Sequence, residues 1–115
     1  MKKAHRAFEV DGPAFINAFS VCPTNWKSDP QKGMVISQLA SDCGLWPLYE
    51  VDHGKWKVNY KPRNTEGKLE EFLGSQGRTK HLLKPANAHL LEELKAQFEA
   101  DMNYLLKMEE AFPMS

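Results

Sequence analysis

The sequence predicts an α/β fold with one buried strand, a hairpin and three to four helices, the last of them long and C-terminal. Three observations carry this reading. Phe15, Ile16, Ala18, Phe19 and Val21 are apolar without alternating, the pattern of a parallel-type strand covered on both faces. Two stretches rich in aromatic and branched residues, Trp46 to Val51 and Lys55 to Tyr60, flank Asp52, His53 and Gly54, a hairpin signal. A stripe of Leu91, Leu94, Phe98, Leu105, Met108 and Phe112 recurs at helical spacing near the end of the chain.

Taken in order, residues 2–10 read as a helix stopped by Asp11, Gly12 and Pro13, a turn cluster. The strand Phe15 to Val21 follows and ends at Cys22, with Pro23 and Thr24 holding the turn. Asp29 as N-cap and Pro30 at the first helical position open a second helix. Its apolar stripe is Met34, Val35, Leu39, Ala40 and Cys43, and Gly44 is placed to end it. After the hairpin, Leu69 to Leu73 form a short helix closed by Gly74, and the final helix spans about Pro85 to Phe112. Lys95 is spaced to meet Glu92 and Glu99 on its outer face. One strand buried on both faces cannot satisfy its own backbone, so its ladder partners must come from outside these residues.

Composition narrows the function. The 115 residues form a single, partial domain in which fifteen Lys and Arg balance fifteen Asp and Glu. That balance disfavours nucleic acid and anionic membrane surfaces as partners. No apolar run approaches the ~20 residues that span a bilayer. The N-terminal residues lack the apolar core of a signal peptide, so a cytoplasmic chain with free thiols at Cys22 and Cys43 is expected.

Few residues invite chemistry. The histidines are His5, His53, His81 and His89, and neither HExxH nor Cys-x-x-Cys occurs. His89 lies one helical turn from Glu92 and Glu93, an arrangement that ordinary helix surface explains better than a metal. Cys43, on an apolar stripe, reads as a small buried thiol. Gly74 to Lys80, "GSQGRTK", has the GxxG spacing of RNA-clamping loops, yet neutral charge and missing strands favour a plain helix connection. Cys22 differs because it follows a buried strand, and cofactors gather beyond the carboxyl ends of strands in open α/β sheets. Position alone leaves two readings open: an inert thiol or a metal ligand.

The blocks "GPAFINAFSVCPTNW", "CGLWPLYEVDHGKWKVNYKP" and "KLEEFLGSQGRTKHL", followed by a long helix, occur in an order that resembles the C-terminal third of the thiamine-diphosphate-binding beta subunit of 2-oxoacid:ferredoxin oxidoreductases, the pyruvate synthase family. The resemblance spans about residues 4–106. It implies a thiamine-type α/β domain ending with the hairpin at residue 62 and a helical extension over 63–115. It implies oxidative decarboxylation of a 2-oxoacid, with electrons passing to ferredoxin and the acyl group to coenzyme A. Thiamine diphosphate, magnesium and [4Fe–4S] clusters are the implied cofactors of the whole enzyme, and Cys22 is the implied [4Fe–4S] ligand in this chain. The remaining subunits and segments are the implied partners.

Two positions depart from the family pattern. Asn25 stands where a glycine is usual after Cys-Pro-Thr, and asparagine tolerates a left-handed conformation, so the turn can survive the change. Thr79 replaces the phenylalanine that normally follows Gln-Gly-Arg. The diphosphate motif is expected upstream of Met1, so the chain reads as a segment, a split subunit or a truncated paralogue. Alone it is expected to bind no thiamine diphosphate, to have no catalysis, and to self-associate through Phe15 to Val21, with Phe19→Lys as the disrupting change. The rival reading is a non-catalytic assembly module that keeps the fold.

Overall fold

The computed structural model describes residues 1–114. Its helices are α1 (Lys2–Glu9), α2 (Pro23–Trp26), α3 (Gly33–Asp42), α4 (Lys68–Gly74) and α5 (Ala88–Ala111). Strands β1 (Tyr49–Asp52) and β2 (Lys55–Val58) form one antiparallel hairpin. The mixed α/β class, the hairpin and the long final helix are as the sequence predicts.

The hydrophobic core lies among the three middle and late helices. Ile36, Leu39, Ala40 and Cys43 of the α3 region pack with Leu69, Phe72 and Leu73 of α4, and Leu91, Leu94 and Phe98 of α5 cover them. Asp29 caps the chain entry into α3 by accepting the Gln31 amide at 2.9 Å, but the first turn from Pro30 to Lys32 is a 3-10 turn. Within α3 the inward face follows helical spacing back from Leu39, Ala40 and Cys43, which selects the residue three, four and seven positions earlier. Ile36 is buried, whereas Met34 is 86% exposed and Val35 is also exposed, so the expected stripe is corrected at both positions.

The expected strand Phe15 to Val21 is also corrected. The segment belongs to no strand, because the described residues supply no ladder partner for its backbone. Nor is it buried on both faces. Phe19 and Val21 pack on the core, with Phe19 5.6 Å from Trp26 and 5.2 Å from Trp46 between ring centroids. Phe15 is 88% exposed and Ile16 is half exposed.

The hairpin turns through His53 (φ 51°) and Gly54 (φ 77°), two left-handed residues that match the twist of the strands. Val51 pairs with Trp56 and Tyr49 with Val58. In a two-residue hairpin these are the positions whose amides point away from the partner strand. Both amides find other acceptors: Trp56 donates to the Phe112 carbonyl at 2.7 Å, and Val58 to the Glu109 carboxylate at 2.6 Å. Met114 returns a bond to the Trp56 carbonyl at 3.3 Å. Trp56 stacks on Tyr49 and meets Tyr104 of α5 edge-on. At the other side, Arg6 of α1 joins Glu50 and Asp52 of β1, each at 2.6 Å.

These ion pairs predict acid lability. Lys61, and then the Val58 amide, hold the Glu109 carboxyl below its ordinary range. Arg6 and His53 do the same for Asp52, and Lys95, 2.7 Å away on α5, for Glu70. A carboxyl lowered in the folded state stabilises above its unfolded value and loses that contribution as pH falls through the folded one. The urea midpoint is therefore expected to hold from pH 7 to about 5 and to fall below about pH 4. Glu109→Gln should flatten part of that fall, and a midpoint unchanged at pH 3 would contradict it.

Candidate functional site

Cys22 begins the short helix α2 as its N-cap, in extended conformation, and its thiol is free and half-buried. Its carbonyl accepts the Trp26 amide at 2.9 Å. The turn closes when Ser28 donates to the Pro23 carbonyl at 3.1 Å, a six-to-one bond that needs a left-handed residue just before it. That residue is Lys27, with φ 53°, and Asn25 stays in the helical turn. The turn forms with asparagine at that position, and the tolerance of Asn25 for a left-handed conformation is not called on. The stop falls at the end of the helical turn, two residues further on, so Asn25 needs no glycine-like freedom.

A second segment holds this turn. Gly77 donates to the Lys27 carbonyl at 3.0 Å and Arg78 to the Trp26 carbonyl at 3.3 Å. The Arg78 guanidinium lies 3.8 Å over the Trp26 ring. Its Nε donates to Gln76 Oε1 at 2.9 Å, and Gln76, 1% exposed, donates to the Phe72 carbonyl at 3.1 Å. A Cβ at Gly77 would lie 2.7 Å from the Lys27 Cβ, so only glycine permits this approach. Thr79 has a different task from a packing phenylalanine: its hydroxyl donates to the Leu73 carbonyl and closes α4.

The structure therefore joins the Cys-Pro-Thr turn to the Gln-Gly-Arg loop, two motifs that sequence reasoning singled out separately. Their contact was missed because it is non-local. A glycine between Gln and Arg outside any helix was the available signal of a close backbone approach.

The other candidates stay apart. Cys43 is buried at the end of α3, and desolvation pushes its thiol pKa up, which suits an inert packing thiol. His89 is exposed, and no three or more His, Cys, Asp or Glu side chains form a metal-binding group among the described residues. Residues 74–80 connect α4 to a 3-10 turn, as a plain helix connection would. No described helix is long and apolar enough to cross a membrane. An open cavity of about 790 Å³ lies instead between the hairpin and the end of α5.

No protein-family model matches the chain. Curated relatives do. Pyruvate synthase subunit PorB of Pyrococcus horikoshii is 38% identical over 117 residues, covering 87% of this chain and 35% of that protein. The subunit of the same name from Thermotoga maritima is 38% identical over 109 residues, covering 94% of this chain and 33% of that one. Ketoisovalerate oxidoreductase subunit VorB of Pyrococcus furiosus is 34% identical over 113 residues, covering 97% and 35%. The chain spans about a third of the length of these relatives. Similarity to both pyruvate and ketoisovalerate subunits, over most of the chain, leads to one assignment: the chain belongs to the 2-oxoacid:ferredoxin oxidoreductase family, as a homologue of the C-terminal segment of its beta subunit.

Proposed function

We propose that the chain serves a cytoplasmic 2-oxoacid:ferredoxin oxidoreductase by presenting Cys22 as one thiolate ligand of the [4Fe–4S] cluster nearest the thiamine diphosphate. One observation supports this above others. The Cys22 thiol is free and partly accessible at the start of a turn that is fixed by a separate loop rather than left to itself. An inert thiol needs burial, as Cys43 has, and no such scaffold.

The donor set fits a shared cluster only. Four thiolates hold a [4Fe–4S] centre. The chain has two cysteines, and Cys43 is buried among Ile36, Leu39 and Phe72. Cys22 would thus be joined by cysteines of other segments. When bound, thiamine diphosphate with magnesium supplies the decarboxylation chemistry, and the clusters carry electrons toward ferredoxin while coenzyme A takes the acyl group. The chain's own work is to hold a thiolate in place and to complete the structure around it. In this reading residues 1–62 finish the thiamine-type domain, residues 63–115 extend it, and Phe15 to Val21 pairs with a sheet made by the remaining segments.

The test is Cys22→Ser in the assembled complex. Serine is nearly isosteric but a poor iron ligand beside thiolate. Iron and sulfide content and the spectrum of one cluster should be lost while the helix content is kept. Cys43→Ser should spare the iron and cost at the low end of about 1–3 kcal/mol, because a more polar hydroxyl enters the apolar cluster while the Ala40 carbonyl that accepts from the thiol remains to receive it. Full iron in Cys22→Ser would refute the ligand reading and leave the chain as an assembly module.

A further inference from the structure

We infer that Arg78 is a positioning residue: it sets the backbone of the Cys22–Lys27 turn and, through it, the place of the Cys22 thiol. The first part stands on geometry alone, and the second rests on the reading of Cys22 as a cluster ligand.

Helix α2 has four residues, too few to hold its own shape, and its N-cap side chain makes no capping bond. It ends on a lysine in the left-handed region, which residues other than glycine avoid. A turn of this kind persists only where its surroundings impose it. Besides Phe19, whose ring meets Trp26 edge-on, the surroundings that bond to the backbone of the turn belong to one loop. Gly77 and Arg78 donate to the carbonyls of Lys27 and Trp26, the last two residues of the turn. The flat guanidinium covers the Trp26 ring at 3.8 Å. Gln76 fixes Arg78 at Nε and is itself held inside the core by the Phe72 carbonyl. A continuous series of contacts therefore runs from α4 through Gln76 and Arg78 to Trp26, whose amide is bonded to Cys22. Arg78 is exposed, so its burial in the core does not explain it. Its stacking and its Nε bond do, and a lysine offers neither.

Amide hydrogen exchange on the full chain tests the first part. In both Arg78→Ala and Arg78→Lys, the Trp26 and Ser28 amides should exchange about tenfold faster, while Leu73 and Leu105 keep their protection. Unchanged exchange at Trp26 and Ser28 in Arg78→Ala, or wild-type behaviour in Arg78→Lys, would overturn the inference. In the assembled complex Arg78→Ala should retain its iron yet shift the midpoint potential and the electron paramagnetic resonance signature of the cluster. Faster exchange with an unmoved potential and signature would overturn the extension to the thiol. Faster exchange together with full iron in Cys22→Ser would sink the ligand reading and leave the positioning of the turn standing.

Discussion

Replacing Phe72 with alanine is expected to lower stability by about 3–5 kcal/mol, the usual range for removing a buried aromatic ring. Phe72 is 1% exposed and sits where α3, α4 and α5 meet. Among the described residues the cluster is small, seven buried residues with Phe72 included plus partly buried neighbours, so little material is available to collapse into the space. Domains of this size are stable by about 5–15 kcal/mol in total. The variant should therefore populate unfolded chain at modest urea, read by tryptophan fluorescence because Trp26 and Trp46 both adjoin the core. A loss below about 1 kcal/mol would mean that the core closes over the gap. Alanine keeps the backbone carbonyl that holds Gln76, so the variant reaches the candidate site only through a shift of α4 itself.

The second large effect concerns association. The isolated chain is expected to self-associate through the extended segment at Phe15 and Ile16, which has apolar side chains outward and no strand beside it. Burying such a side chain is worth about 1.5–3 kcal/mol, so Phe15→Lys or Ile16→Lys should weaken association by about 10–100-fold without loss of helix content. Phe19→Lys is the wrong probe. Phe19 faces Trp26 and Trp46, and a charge there should unfold the chain. Light scattering with far-ultraviolet dichroism separates the two outcomes, and a clean monomer of the unaltered chain at high concentration would defeat the expectation.

The sequence made some of this readable and hid the rest for physical reasons. The hairpin was legible because a two-residue left-handed turn and aromatic flanks are local signals. So was α5, whose periodicity runs over several turns. The α3 stripe was legible in full but misassigned at its start: Ile36 stands three, four and seven residues before Leu39, Ala40 and Cys43, the spacing of one helical face, whereas Met34 stands five, six and nine before them. Phe15 to Val21 has strand composition, but a strand is a property of a pair, and no partner lies in these residues. At the candidate site Cys22 was legible by position. Its support was not, because the Trp26 and Arg78 contact joins residues far apart in sequence, and residue-type preference pointed to Asn25 rather than Lys27 as the left-handed position.

The tail that closes the hairpin bears on the order of events during synthesis. A polypeptide leaves the ribosome N-terminus first, so β1 and β2 emerge while Glu109, Phe112 and Met114 are still unmade. Until those residues arrive, the amides of Trp56 and Val58 have only water, and two strands held only by the exposed ion pairs to Arg6 are marginal in water. The hairpin cannot then act as a seed for the rest of the nascent chain. It fluctuates until residues 109–114 have left the ribosome, when later-made residues fix one of the earlier-made elements in place.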